Sequence, residues 1–187
     1  MRRILAAAAV AVSAVAVIAG CSGTTSVAPT PVQSTDLTSS DGGFDQHAVI
    51  GVVLLPVDGS SSSGEALPDR FRTALTEAGF RPDVRVADTN DPAGSQRSAV
   101  HDLVRTGAKA LLVAADDPAS LTGELQTAHD AGVVVVGLGD QLPANGTGGD
   151  GVSADYRVAT TGSDADLVHR AVAAVTSLQR GEKPDGD

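Results

Sequence analysis

The chain has 187 residues and is poor in cysteine, in aromatic side chains and in basic charge. Cys21 is its one cysteine, so an intramolecular disulfide is excluded. The chain carries 13 basic side chains against 23 acidic ones, and its net charge of −10 argues against binding to the phosphate backbone of nucleic acids. Aromatic residues make up 2% of the sequence and tryptophan is absent, so few side chains can stack on a ligand ring.

The sequence patterns of common catalytic and metal sites are also missing. The serine run Ser60–Ser63 lacks the glycine spacing of a G-x-S-x-G nucleophile turn, and neither an H-E-x-x-H motif nor a cysteine-based metal site occurs. Gly146–Gly151, GTGGDG, matches G-x-G-x-x-G but lacks the strand–turn–helix context that a dinucleotide site needs. We therefore expect a protein that is not an enzyme and that binds no cofactor.

The first 20 residues have the layout of a secretory signal peptide. Two arginines precede Ile4–Gly20, an uncharged run rich in alanine and valine, and small residues come just before Cys21. The run is shorter than the roughly 20 apolar residues that span a membrane, which favours a cleaved signal over the alternative of a transmembrane anchor. Residues 21–46 are rich in Ser, Thr, Pro and Gly and predict a flexible tether.

The end of this signal, Ile18–Cys21 or IAGC, resembles the lipobox of bacterial lipoproteins. The resemblance implies cleavage before Cys21 and attachment of diacylglycerol to its sulfur. Lipoprotein processing supplies at least two acyl chains. Two chains anchor a protein stably in a membrane, whereas one chain binds only marginally. We therefore expect lipid anchoring at the cell membrane, with the folded part facing the extracytoplasmic side.

Hydrophobic patterning predicts alternating strands and helices over residues 47–181, followed by a disordered tail at 182–187. Such alternation is typical of an α/β fold with a parallel sheet and helices on both faces. We predict a doubly wound, five-stranded sheet in the order 2-1-3-4-5. The predicted strands are 47–57, 83–87, 109–115, 133–138 and 155–160, and the predicted helices begin near residues 67, 91, 117 and 163.

Several polar residues follow the predicted strands, where ligands of doubly wound sheets bind. Asp140 follows the fourth strand and either contacts a ligand or only starts the next turn. Ser60 and Ser61 follow the first strand and either bind a polar ligand or belong to an exposed loop. Asp116, after the third strand, either faces a ligand or joins Asp117 in capping the next helix.

The order of these elements resembles the first lobe of the type I periplasmic binding proteins, in particular the ribose- and xylose-type sugar-binding lipoproteins of ABC transporters. The resemblance covers about residues 48–181 and is carried by VIGVVLLPV at 49–57, FRTALTEAGF at 71–80, the segment 90–121 and ELQTAHDAGVVVVGLGDQL at 124–142. In that family an aspartate at the tip of the fourth strand hydrogen-bonds sugar hydroxyls, and Asp140 stands in its place.

The resemblance implies a small-molecule sugar as ligand and an ABC permease as partner. Gln141 replaces the arginine that usually follows the family's aspartate, and Thr161 and Gly162 stand where an Asp-Asn pair is common. The candidate ligand-binding residues are Asp140, Gln141, Asp58, Ser60, Ser61 and Asp116.

The family's second lobe has no counterpart in this sequence. We therefore expect ligand binding that is weak or that depends on a partner, either a permease or a separate chain that supplies the second lobe. The alternative is a single-lobe interaction module that docks to a permease, a sensor or an envelope protein without a small ligand.

Overall fold

Five parallel strands form the centre of the protein, for which a computed structural model describes residues 43–56, 65–143 and 153–184. The sheet order is β2-β1-β3-β4-β5, and each neighbouring pair is parallel. This confirms the predicted doubly wound fold and its strand order. The strands are β1 (Val49–Leu54), β2 (Arg81–Val86), β3 (Ala110–Val113), β4 (Val134–Leu138) and β5 (Tyr156–Val158).

In the described part of the chain, four α-helices cover the two faces of this sheet in pairs. They are α1 (Leu67–Glu77), α2 (Pro92–Arg105), α3 (Thr122–Asp130) and α4 (Asp164–Gln179). Helices α1 and α4 pack together on one face, and α2 and α3 pack together on the other. The sheet is therefore buried from both sides, which explains the near-continuous apolar runs of its central strands.

The core consists of two apolar clusters separated by the sheet. Alternate residues of each strand point to opposite faces. In β4, Val136 belongs to the cluster with Phe71 of α1, whereas Val135 belongs to the cluster with Leu103 of α2 and Leu125 of α3. Every residue of β4 is buried, so the strand that leads to Asp140 is fixed from both sides.

The entry to the third helix differs from the prediction of one continuous helix. Pro118–Leu121 forms a 3₁₀ turn before α3 begins at Thr122. The Ser120 hydroxyl donates to the Asp117 carbonyl and the Thr122 hydroxyl to the Ala119 carbonyl, at 2.8 Å each. Local side-chain bonds of this kind compete with regular α-helical bonding.

The folded part also reaches into the segment assigned to the tether. Phe44 packs against the core, and the centroid of its ring lies 6.1 Å from that of Phe80. This contact of a half-buried aromatic ring places Phe44 in the folded part, although composition alone assigns it to the tether.

Several predicted features lie outside the described residues: the signal peptide at 1–20, Cys21, residues 21–42 of the tether, and Asp58, Ser60 and Ser61 of the loop after β1. Within the described ranges, none of the helices has both the length and the apolar character to cross a membrane.

Candidate functional site

Asp140 lies at the carboxyl edge of the sheet, directly after β4. Gly139 precedes it with φ +91°, in the left-handed region that favours glycine, and its N–H donates to the Val158 carbonyl at 2.8 Å. This turn carries the chain out of the sheet, and the Asp140 side chain is 95% exposed. The carboxylate is therefore available to a ligand at the edge where doubly wound sheets bind one.

A second charged group, which the sequence reasoning missed, lies beside this carboxylate. Arg157 of β5 is in register with Gly137 of β4, and its Nη1 atom lies 3.9 Å from Oδ1 of Asp140. A Cβ at position 137 would come within 3.6 Å of Arg157 Cγ. The stem of the arginine therefore lies beside β4 at this glycine. An arginine within an otherwise apolar short strand, opposite a glycine, is the signal that could have found it.

The residues after Asp140 turn back onto the sheet. Gln141 is exposed, whereas Leu142 is buried in the core cluster under α2 and α3. The Ala154 N–H donates to the Pro143 carbonyl at 3.0 Å, which joins the two ends of the connection between β4 and β5. Asp140 and Gln141 thus share one short exposed turn.

Asp116 lies at the tip of β3, where a buried glutamine of α2 holds the backbone. Gln96 is fully buried. Its Nε2 donates to the Ala114 carbonyl at 2.7 Å, and its Oε1 accepts the Asp116 N–H at 3.0 Å. The Asp117 carboxylate, not that of Asp116, accepts from Ala119 N at the start of the 3₁₀ turn. The Asp116 side chain is exposed.

The backbone that follows β5 is bonded by a side chain from α4, on the face of the sheet opposite to that of Gln96. Arg170 of α4 donates through Nη2 to the carbonyls of Ala159, at 2.8 Å, and of Thr161. Thr161 and Gly162 are both exposed.

Sequence reasoning missed Arg170, as it missed Gln96. Gln96 could have been found from its spacing, because it lies four and seven residues before the buried Val100 and Leu103 of α2.

The loops at this edge are acidic. Asp88 follows β2, Asp116 and Asp117 follow β3, and Asp140 follows β4. Hydrogen bonds from the backbone and side chain of Asn90 hold the pKa of Asp88 below its ordinary value, so it stays charged. A carboxylate-rich edge of this kind disfavours anionic ligands.

The described residues contain no group of three or more His, Cys, Asp or Glu side chains that could hold a metal ion. Among the described residues, a groove of about 460 Å³ runs between α1 and α4 and includes Arg70 and His169. Another of about 380 Å³ runs between α2 and α3 and includes His101 and Glu124. Neither groove is lined by Asp140 or Asp116.

No family model matches this chain. Over 71 residues it is 39% identical to the multiple sugar-binding periplasmic receptor ChvE of Rhizobium radiobacter. The matched region covers 38% of this chain and 19% of that receptor, so the chain spans only a part of the curated relative it matches.

Among solved structures, the chain is similar to an ABC transporter solute-binding protein of Mycobacterium smegmatis with bound glycerol, at 22% identity and a TM-score of 0.48. That similarity covers 59% of this chain and 34% of the other. A carbohydrate transporter solute-binding protein of Chloroflexus aurantiacus in complex with D-glucose is similar at 22% identity and a TM-score of 0.48, over 62% of this chain and 31% of the other.

Proposed function

We propose that this protein is an extracytoplasmic solute-binding protein that binds a sugar and serves an ABC transporter, with ribose- and xylose-type sugars as the first candidates. The observation that carries the proposal is the exposed Asp140 carboxylate at the carboxyl end of β4. In doubly wound sheets this edge is the one that binds ligands. The identity over 71 residues to a protein described as a multiple sugar-binding periplasmic receptor supports the same ligand class.

The chemistry of this edge suits a polyhydroxylated ligand held by few contacts. A hydrogen bond to a charged group contributes roughly 1.5–3 kcal/mol, whereas association itself costs about 4–15 kcal/mol. One carboxylate therefore binds a monosaccharide weakly. Tight binding needs a second surface, which a permease or a separate chain would supply. The proposed role is transport and not catalysis, and it needs no cofactor.

Lipid attachment at Cys21 would place this lobe at the cell membrane. The support is the IAGC sequence, together with a Ser-, Thr- and Pro-rich segment of about 25 residues before the folded part. A tether of this composition lets the lobe reach a permease in the same membrane.

A second candidate function is docking to a protein without a small ligand. Leu55 and Val86 are the two exposed large apolar residues of the described part of the chain, at 40% and 42% exposure. Val86 is in register with Leu54, the residue before Leu55, so both exposed residues lie where β1 and β2 end. Exposed apolar side chains at the carboxyl edge favour a protein surface over a sugar there.

Titration calorimetry separates these functions. Ribose, xylose, glucose and galactose are titrated into the full chain, into Asp140→Asn and into Asp130→Asn, a matched control at the exposed end of α3. We expect weak binding by the wild type and the control and none by Asp140→Asn. Absence of binding by the wild type at all sugar concentrations would exclude the sugar-binding function and favour docking.

A further inference from the structure

We infer that Arg157 is a ligand-contacting residue, and that a single hydroxyl group of the ligand bridges it to Asp140. This inference rests on the proposed sugar-binding function and adds a residue and a selectivity to it. It concerns the exposed carboxylate after β4 and the guanidinium of β5 that lies beside it.

The distance between the two groups fits a bridging oxygen. Arg157 Nη1 and Asp140 Oδ1 are 3.9 Å apart, too far for a direct hydrogen bond. An O–H···O bond is about 2.7 Å long and an N–H···O bond about 2.9 Å. One oxygen atom at these distances from both groups closes a triangle on the 3.9 Å base, with an angle near 90° at the oxygen. The pair can therefore share one ligand atom without moving.

Hydrogen-bonding chemistry selects a hydroxyl for that position. A carboxylate only accepts hydrogen bonds and a guanidinium only donates them. A hydroxyl oxygen can donate to Asp140 and accept from Arg157 at once, whereas a carbonyl, carboxylate or phosphate oxygen has no proton for Asp140. Asp116, which follows the neighbouring strand β3, adds repulsion against an anion. The pair is thus expected to prefer a neutral polyol to a sugar acid.

The stem of the arginine lies against the sheet, although its guanidinium reaches solvent. Its stem lies over Gly137, and the space near that glycine is bounded by the side chains of Ala154 and Leu142, which would lie 3.2 and 3.4 Å from a Cβ at position 137. Arg157 is 37% exposed, whereas Asp140 is 95% exposed. The planar donor group of an arginine is pre-organised, so less conformational freedom is lost for each hydrogen bond that it makes.

The test combines variants of the full chain with deoxygenated ligands. Arg157→Met keeps an apolar stem over Gly137 and removes the guanidinium, and Arg157→Lys keeps the charge but not the planar donor group. Arg85→Met is the matched control, because Arg85 is also a partly exposed arginine of an edge strand and is paired with Asp83 instead. The thermal unfolding midpoint of each variant is measured to show that the variant is folded. Binding of glucose, galactose, xylose, ribose, their monodeoxy analogues and glucuronate is measured by calorimetry.

We expect Arg157→Met to weaken sugar binding by about 10-fold or more, Arg157→Lys to restore part of the loss, and Arg85→Met to change it less than about twofold. Removal of the bridging hydroxyl should weaken binding to the wild type by a similar factor and weaken binding to Arg157→Met much less. Sugar binding that Arg157→Met leaves unchanged would overturn this inference alone. Absence of sugar binding by the wild type would overturn the proposed function and this inference together, so the two failures are distinguishable.

Discussion

At the scale of single residues, Gln96 is a buried polar side chain that supports the candidate site from within the core. It lies within the apolar face of α2, and both ends of its amide bond the backbone at the tip of β3. A buried amide without hydrogen-bond partners would lower the stability of the protein. The amide of Gln96 keeps its two partners only while the backbone of the loop after β3 stays in its present position. Gln96 therefore fixes where Asp116 leaves the sheet.

Replacement of Gln96 by leucine tests this role. The variant leaves the Ala114 carbonyl and the Asp116 N–H without their partners, and we expect the free energy of unfolding to fall by about 1–3 kcal/mol. Gln126→Leu is the matched control, because Gln126 is exposed and bonds only Asp130. Urea unfolding of both variants measures the difference. Equal effects of the two substitutions would show that the buried amide is dispensable.

The site residues differ in how far the sequence could reveal them. Asp140 was predicted because it follows an apolar run directly. Arg157 was missed because its closeness to Asp140 depends on the register between β4 and β5, which pairs it with Gly137. Asp116 was predicted as a residue at the sheet edge, but the bonds that hold its backbone come from Gln96, 20 residues earlier. Contacts between distant segments follow from packing, and local patterns do not encode them.

At the scale of elements, α4 begins with a complete capping box. The Ser163 hydroxyl accepts from the Asp166 N–H, while the Asp166 carboxylate accepts from the N–H and hydroxyl of Ser163. These bonds hold the pKa of Asp166 below its ordinary value of 3.8. A lowered folded-state pKa gives stability that is present above that value and is lost as the pH falls through the folded-state pKa.

The variant Asp166→Asn should therefore be less stable than the wild type at neutral pH and should approach it in acid. The amide cannot carry the negative charge that the cap stabilises, and the wild-type carboxylate loses that charge too once the pH falls through its folded-state pKa, which lies below 3.8. Thermal unfolding of both proteins between pH 7 and pH 2 measures the converging difference in Tm. Ser163→Ala should lower stability at neutral pH by about 0.5–2 kcal/mol. A difference between wild type and Asp166→Asn that stays constant with pH would contradict this role.

Central elements were easier to predict than those at the edges of the sheet. The start of β4 at Val134 was predicted to within one residue. Both faces of this strand are buried, so its apolar run in the sequence is continuous. β2 is an edge strand whose residues other than Val84 are exposed or half-buried, so its first residues, Arg81 and Pro82, carry no strand pattern. Proline is tolerated there because an edge strand has one side without hydrogen-bond partners.

At the scale of the whole molecule, both helical layers hold the same edge of the sheet. Gln96 comes from the α2–α3 face and bonds the exit of β3, and Arg170 comes from the α1–α4 face and bonds the exit of β5. Two loops of the candidate site are therefore fixed independently by the core. A site supported in this way needs little reorganisation when a ligand or partner arrives.

The last prediction concerns how the molecule is held in the cell. If Cys21 is lipidated, the protein expressed in a bacterial host should separate with the membranes and take up labelled palmitate, because two or more acyl chains give stable anchoring. Cys21→Ser removes the sulfur that carries the lipid, so it should not be labelled. Both are compared with Asp140→Asn, which leaves Cys21 intact and should be labelled like the wild type. Mass spectrometry of the wild-type protein should find a modified Cys21 as the first residue, and a chain that starts at Met1 or carries an unmodified cysteine would exclude the lipoprotein assignment.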